Sequence, residues 1–266
     1  MPTGLTLYTA SAPSGQRITC LLQELDMECV LKTVALHEGE HLTPKFREEL
    51  NPAGLIPVLV DHDAGDLRVF EGGAIMQYLL ECKAPAVGGE VAARAAELLP
   101  GPSEGARRAA VLSWMFFLHG TMYAAVRRFF VPFVAGAPST PDVQRHAGET
   151  LAEQLRIVEG QLQKTGAFIA GDSFTAADVS ALPYVLGSAV AIGVELPKEL
   201  PATHAWVERL LARPALRRGL RLPAPYPFFS SGPEAEAAVE GLRAKLAGMG
   251  VEPVSGRGAG RVLVEE

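Results

Sequence analysis

Residues 51–61, Asn-Pro-Ala-Gly-Leu-Ile-Pro-Val-Leu-Val-Asp, decide the fold of this chain. Gly54 predicts a turn that is followed by an apolar, β-branched run, and Pro57 lies inside that run. A proline cannot donate to a sheet ladder, so it belongs at the start or the edge of a strand. An X-Pro bond is also where a cis peptide costs least. We therefore expect a strand that follows a cis Ile56–Pro57 bond and presents the Ile56 backbone outward, where a peptide-like ligand could pair with it.

The next segment supplies groups for both charged ends of such a ligand. Residues 67–70 predict another strand, and Glu71, Gly72 and Gly73 then lead into a helical pattern over residues 74–80. Backbone amides at a helix N-terminus bind carboxylates, and the Glu71 carboxylate can hold an amine. The two segments together therefore predict a site for a small zwitterionic peptide.

The elements that precede this stretch alternate between strand and helix. Residues 5–9 and 29–35 predict strands, and residues 16–25 predict a helix because their apolar side chains recur at helical spacing. Ser14 lies just before that helix and is a plausible N-cap. This order of elements predicts an α/β domain over residues 1–83.

Helical periodicity dominates the rest of the chain. Residues 84–103 are rich in Ala, Gly and Pro and predict a linker with a helical piece over residues 90–99. Residues 104–230 predict an all-α domain, in which Thr175 and Asp178 form a capping box at the start of one helix.

Residues 231–266 form a C-terminal extension with one predicted helix, over residues 233–249. Four apolar side chains of that helix fall on one stripe: Val239, Leu242, Leu246 and Met249. A helix of this length is marginal in water by itself. We therefore expect the stripe to dock on the helical domain.

The composition is that of a globular protein, with 48% hydrophobic and 20% charged residues among 266. The net charge of -6 does not favour nucleic-acid binding. The three cysteines have no metal-ligand spacing, and their odd number argues against a disulfide scaffold. We find no apolar stretch of about 18 residues and no signal-peptide pattern. These features lead us to expect a cytoplasmic protein with no metal and no membrane contact.

The motifs NPxGxIPxLxD at residues 51–61, FExxAIxxYL at 70–79 and FTAAD at 174–178 resemble those of the cytosolic glutathione transferase superfamily. The likeness covers roughly residues 4–222. Residues 39–46, GEHLTPKF, are similar to the plant phi-like group, and residues 213–219, RPALRRG, to bacterial nu-like members. The resemblance implies an α/β thioredoxin-like N-terminal domain plus an all-α helical-bundle C-terminal domain. It also implies glutathione as cosubstrate, a small hydrophobic electrophile as second substrate, and a homodimer.

In such a protein a hydroxyl in the turn after the first strand stabilises the glutathione thiolate. The position at which relatives carry Ser or Thr aligns with Ala12 here, so the hydroxyls at hand are Ser11 and Ser14, with Tyr8 as a third and less favoured candidate. Ser14 corresponds to an Asn of bacterial relatives that reduce disulfides. A helix cap for Ser14 and a solvated turn residue for Ser11 are the structural alternatives. The sequence does not choose between the two serines.

The resemblance also assigns the groups that bind glutathione. His41 inherits contact with the glycine carboxylate, while Leu42 stands where a companion Lys is frequent. Lys45 and Arg17 are the candidates to compensate. Ile56 and Pro57 face the cysteinyl part, and Glu71 with Gly72 the γ-glutamyl part. Gly72 lacks the usual Ser hydroxyl, and one hydrogen bond to a charged group is worth about 1.5–3 kcal/mol. We therefore expect Gly72→Ser to tighten glutathione binding.

Aromatic residues on the long helical pattern of residues 104–133 offer a pocket for a flat apolar substrate, with Trp114, Phe117 and Tyr123 as candidates. Packing in the helical core is the alternative for each. The leading function is a glutathione transferase. A glutathione-dependent disulfide reductase or peroxidase is one alternative. A non-catalytic glutathione- or ligand-binding protein is another, which the departures Ala12, Leu42 and Gly72 favour.

Overall fold

The computed structural model describes residues 4–134, 138–226 and 233–248. Its first part is built on one four-stranded sheet in the order β2-β1-β3-β4. The strands are β1 (Leu5–Thr9), β2 (Val30–Thr33), β3 (Val58–Asp61) and β4 (Leu67–Phe70). β1 pairs with β2 in parallel, and β3 pairs antiparallel with both β1 and β4. The parallel pair requires a crossover, which the first helix supplies.

The first helix, α1, spans Pro13–Leu25 and begins three residues earlier than predicted. Its N-cap is Ala12, whose side chain makes no capping bond, and Pro13 takes the first helical position. A proline suits that position because its missing N–H would have no partner there. The alternative reading of Ser14 as the N-cap is therefore wrong, since Ser14 is the second residue of the helix.

The turn before β3 is held by its own side chains. Asn51 is 1% exposed; its Nδ2 donates to the Leu55 carbonyl at 2.9 Å and its Oδ1 accepts from the Ala53 N–H at 2.9 Å. Gly54 has φ +62, a conformation that favours glycine. The Ile56–Pro57 bond is cis, which confirms the prediction. The quoted stretch thus fixes the chain direction into β3.

Helices complete this first part. They are α2 (Pro44–Glu49), α3 (Gly72–Tyr78) and α4 (Ala84–Val87), the last two joined without a break by a π turn at Leu79–Lys83. The segment predicted as a linker is helical over α4 and over α5 (Gly89–Leu98).

The remaining helices form the second part. They are α6 (Gly105–Phe116), α7 (Tyr123–Val134), α8 (Pro141–Thr165), α9 (Ala176–Ile192), α10 (Leu196–Glu199), α11 (Pro201–Leu211) and α12 (Pro214–Leu220). A π turn, Phe117–Met122, connects α6 to α7. Together with the sheet domain they confirm the predicted fold class.

Helix α9 is the centre of the molecule, because every residue of it is buried. It packs against α1, α6 and α8, and so joins the two domains. The predicted capping box at Thr175 and Asp178 is present. The Asp178 carboxylate also accepts from Trp206 Nε1 at 2.9 Å. Burial raises the pKa of Asp178, while these hydrogen bonds lower it.

The C-terminal extension contains α13 (Pro233–Gly248), which lies against α9. Val239 and Leu242 are 3% and 6% exposed, so the predicted docking on the helical domain is confirmed for these two side chains. The side chains of Leu246 and Met249 lie outside the described residues.

One helical stretch in the described part of the chain, Gly89–Pro132, is long and apolar enough to cross a membrane by length and composition alone. This corrects the expectation that no such segment exists. Buried core helices pass the same test, and Val111, Leu118 and Phe129 of this stretch are core residues here. The finding is therefore weak evidence for a membrane.

Candidate functional site

A small pocket lies where α1, the turn before β3 and the start of α3 meet α7. It is lined by Ser14, Arg17, Asn51, Leu55, Ile56, Pro57, Glu71, Gly72 and Tyr123. Seven of these were predicted from the sequence as site residues. The structure thus brings together groups that are more than 100 positions apart in the chain.

Ser14 presents a free hydroxyl to this pocket. Among the described residues, neither its side chain nor its backbone N–H has a hydrogen-bond partner, and it stands at the N-terminus of a 13-residue helix. The positive end of the helix dipole and a hydroxyl donor both favour an anion.

Ser11 is engaged elsewhere. Its hydroxyl donates to the backbone carbonyl of Ala224, which follows α12, and Ser11 does not line the pocket. The phenol oxygen of Tyr8, the third hydroxyl candidate, accepts a hydrogen bond from Lys32 Nζ at 3.3 Å.

The other side of the pocket offers backbone groups and a carboxylate. Neither the N–H nor the C=O of Ile56 is paired within the described residues, as an added peptide strand would require. Glu71 has φ +68, a rare conformation for a residue with a side chain, and it occurs immediately before Gly72 and α3. Backbone strain of this kind costs on the order of 1–3 kcal/mol. It persists where surrounding contacts hold the backbone in place, frequently at a functional site.

Arg17 supplies the positive charge of the pocket. It is 3% exposed and its guanidinium carbon lies 5.2 Å from the ring centroid of Tyr184. Its Nη1 contacts the imidazole of His119, which belongs to the π turn between α6 and α7. Burial lowers the pKa of Arg17, and nearby Glu71 acts in the opposite direction. Burial and the Arg17 charge lower the pKa of His119 from 6.5 to about 3.

His41 lies beside the pocket and does not line it. Its Nδ1 is buried without a hydrogen-bond partner, and its carbonyl oxygen would be 2.8 Å from a Cβ at Gly54. Burial lowers the pKa of His41, and the charges of Arg47 and Arg127 lower it further. The charges of Arg47 and Arg127 thus lie near His41, beside the turn at residues 51–55.

The predicted substrate aromatics divide into two groups. Tyr123 lines the pocket and packs edge-on against Tyr184, with ring centroids 6.1 Å apart. Trp114 and Phe117 form a second edge-to-face pair at 5.3 Å and pack against the hydrophobic core outside the pocket. The structure therefore places one of the three candidates at the site.

Sequence reasoning did not assign His119, Tyr184 or Asn51 to the site. Asn51 stands in the quoted motif, so its place in the turn could have been recognised from side-chain capping of turns. The contacts of His119 and Tyr184 depend on how α6 and α9 pack against α1, which no local pattern records.

Neither a metal centre nor a reactive protein thiol is found at the site within the described ranges. No three His, Cys, Asp or Glu side chains there are arranged to hold a metal ion. Cys20 is buried in α1, and burial raises the pKa of its thiol. Burial also raises the pKa of Cys29 to about 12. Any thiolate used at the pocket must therefore come from a ligand.

Comparison with known proteins agrees with this geometry. The family described as "Glutathione S-transferase, N-terminal domain" matches residues 3–81, and "Glutathione S-transferase, C-terminal domain" matches residues 114–214. Glutathione S-transferase 3 of Zea mays is 33% identical, over 83% of this chain and 95% of the relative. The disulfide-bond oxidoreductase YfcG of Escherichia coli is 28% identical, over 81% of this chain and 94% of its own length.

Among solved structures, the glutathione transferase URE2P6 of Phanerochaete chrysosporium, in complex with oxidized glutathione, superposes with a TM-score of 0.68. It is 26% identical, and the match covers 92% of this chain and 98% of that one.

Proposed function

The chain belongs to the glutathione S-transferase family, and from this we propose that it binds glutathione and activates its thiol for attack on a small apolar electrophile. The observation that carries the proposal is the free hydroxyl of Ser14, which faces a pocket with a buried cation on one side and a carboxylate on the other. A pocket of this charge pattern suits a zwitterionic peptide.

Ser14 acts on the sulfur. The thiol loses its proton to water, and the Ser14 O–H then donates a hydrogen bond to the thiolate. The N-terminus of α1 stabilises the same negative charge, as it does for low-pKa cysteines. The thiolate attacks the electrophilic carbon, a carbon–sulfur bond forms, and the electron pair passes to the leaving group or the addition site.

The other pocket residues hold the peptide. The unpaired backbone of Ile56, next to Pro57, pairs with the cysteinyl residue. Glu71 takes the amine of the γ-glutamyl residue, and the Gly72 amide faces its carboxylate. Beside the pocket, His41 binds the glycine carboxylate, supported by the nearby charges of Arg47 and Arg127.

The electrophile is placed next to Tyr123, because this is the aromatic side chain that lines the pocket and belongs to the helical domain. Trp114 and Phe117 form a packed pair of their own outside the pocket. The size and chemistry of the second substrate are set by this helical side of the site.

A second candidate function is glutathione-dependent reduction of disulfides or peroxides. Ser14 at the N-terminus of α1 would stabilise the thiolate equally well for that reaction. The relative from Escherichia coli is named a disulfide-bond oxidoreductase, and a similar structure holds oxidized glutathione.

The assay that separates these functions uses three readouts. They are retention on immobilised glutathione, conjugation of chloro-dinitrobenzene, and reduction of hydroxyethyl disulfide. Conjugation supports the transferase, and turnover with the disulfide alone supports the reductase. Retention without any turnover indicates a binding protein, the third function considered. The absence of both retention and turnover would contradict the proposal.

We also propose a homodimer in a reducing, cytoplasmic environment. Leu67 and Phe70 on β4 and Phe116 on α6 are large apolar side chains at 42%, 40% and 61% exposure. Large apolar side chains at a surface are stabilised when another protein covers them and removes them from water. A second copy of the chain would cover them.

A further inference from the structure

Two adjacent glycines at the start of α3 leave room for side chains from two other elements. A Cβ built on Gly72 would lie 2.2 Å from Nη2 and 2.5 Å from Cζ of Arg17. A Cβ on Gly73 would lie 3.3 Å from Cδ2 of His119. The guanidinium thus occupies the space that a side chain at position 72 would need.

Arg17 is a buried cation that forms no ion pair among the described residues, although Glu71 lines the same pocket. Its Nε is buried without a hydrogen-bond partner, and within the described part of the chain no carboxylate forms an ion pair with it. Its contacts are the His119 ring on one side and the face of Tyr184 on the other. A buried charge without a partner is costly, and Arg17 opens onto the pocket. The arrangement therefore suits an anion that a ligand supplies.

His119 fixes the direction of this cation without cancelling its charge. A guanidinium carries only donors, so the imidazole nitrogen facing it, Nδ1, must accept and therefore carries no hydrogen. The ring hydrogen is then on Nε2, which lies 3.5 Å from Ser180 Oγ on α9. The neutral imidazole of His119, which contacts Ser180 on its other side, keeps Arg17 against Gly72. The positive charge of Arg17 is then left for a ligand.

We propose that Arg17, positioned by His119 in the space left by Gly72, is the carboxylate-binding group of the pocket. It takes the α-carboxylate of the γ-glutamyl residue in place of the hydroxyl that position 72 lacks. This rests on the proposed function. Glu71 lines the same pocket with the opposite charge, so the two residues match the amine and carboxylate of one α-amino acid. His119 is a positioning residue, since it acts through Arg17. Because Arg17 fills the space at position 72, Gly72→Ser is expected to weaken glutathione binding. This is the opposite of the expectation from the sequence.

The test compares two peptides on the full-length protein by calorimetry. One is glutathione, and the other is 4-aminobutanoyl-cysteinylglycine, which differs in lacking the α-carboxylate. The wild-type protein is expected to prefer glutathione by roughly 10- to 100-fold, the range for a hydrogen bond to a charged group. This comparison needs no variant, so a folding defect cannot obscure it. A ratio near one, with tight glutathione binding, overturns the inference and leaves the proposed function standing. If neither peptide binds, both the inference about Arg17 and the proposed function are contradicted.

Position 72 is tested with Gly72→Ala and Gly72→Ser, of which Ala adds bulk alone and Ser adds bulk and a hydroxyl. Both are expected to weaken glutathione binding, because both displace Arg17. The ratio of the affinities for the two peptides should then fall to near one. Tighter glutathione binding by Gly72→Ser overturns the inference.

The positioning role is tested with His119→Leu and His119→Asn. Leu cannot accept from Arg17, so the preference is expected to fall, while the Asn amide oxygen can accept and restores part of it. Melting temperatures show whether each variant is folded. An unchanged preference in folded His119→Leu overturns the role of His119.

Discussion

The hydroxyl of Ser11 donates a hydrogen bond to the backbone carbonyl of Ala224 at 2.7 Å. A serine hydroxyl has one hydrogen to donate, so Ser11 cannot donate to a thiolate while this bond exists. Ser14, three positions on, lines the pocket and has no partner within the described residues. Of the two serines between which the sequence did not choose, Ser14 is therefore the one that we propose to act on the glutathione sulfur.

Substitution of the two serines should separate their roles. Ser14→Ala is expected to lower kcat/KM for chloro-dinitrobenzene conjugation by roughly 10- to 100-fold, the value of one hydrogen bond to a charged group. Ser11→Ala, the matched control, loses a bond to the chain after α12 and should have the smaller effect. The measurement is initial-rate kinetics at saturating and limiting glutathione. A larger loss in Ser11→Ala than in Ser14→Ala would contradict this assignment.

The partly buried ring of His119, next to the Arg17 guanidinium, predicts a pH dependence of stability. Its pKa is about 3 in the folded protein against 6.5 when exposed. Below pH 6.5 the unfolded chain takes up a proton that the folded chain refuses, so stability falls as the pH drops from 6.5 toward 3. At pH 5 this amounts to about 2 kcal/mol.

Urea unfolding at pH 7.5 and at pH 5.0 measures this loss. Other groups titrate over the same range, so the comparison is with His119→Asn, which cannot bind the proton. The wild-type protein should lose about 2 kcal/mol more than the variant. Equal losses in the two proteins would show that His119 is not the group responsible.

The α/β domain and the helical domain can be predicted from local sequence patterns. The contacts between residues of the site cannot. Pro57 after a Gly turn and the capping box at Thr175 are readable because each acts within a few residues. The predicted start of α1 at residue 16 is wrong by three residues, although a proline such as Pro13 is typical of a first helical position. The Arg17–His119 contact joins residues 102 positions apart. It exists only because α9 brings α1 and the π turn together, which no short stretch of sequence encodes.

Helix α13 is predicted to stabilise the protein through its buried stripe. Leu242→Ala should cost about 2 kcal/mol or more, as for other buried leucines, and lower the melting temperature by several degrees. Glu240→Ala, an exposed change on the same helix, is the control and should leave the melting temperature unchanged. Deletion of residues 232–266 should lower it at least as much as Leu242→Ala. A melting temperature unaffected by the deletion would mean that the helix does not dock.

The exposed apolar side chains predict the oligomeric state. Light scattering at micromolar concentration should give about twice the chain mass of 28.2 kDa. Phe116→Asp should shift the protein toward the monomer, because a charge buried in an interface is costly. Phe116→Leu, which keeps the apolar surface, should remain dimeric. A 28.2 kDa particle for the wild-type protein would contradict the proposal.

The most direct measurement of the central claim is the titration of the glutathione thiol in the complex, followed by the ultraviolet absorbance of the thiolate. Free thiols of this kind titrate near pH 8.5. When glutathione is bound to the wild-type protein, its thiol pKa should be lower by about one unit or more. In Ser14→Ala the pKa of the bound thiol should rise most of the way back to the value of free glutathione. A bound thiol that titrates as it does in free glutathione would contradict thiol activation by this site.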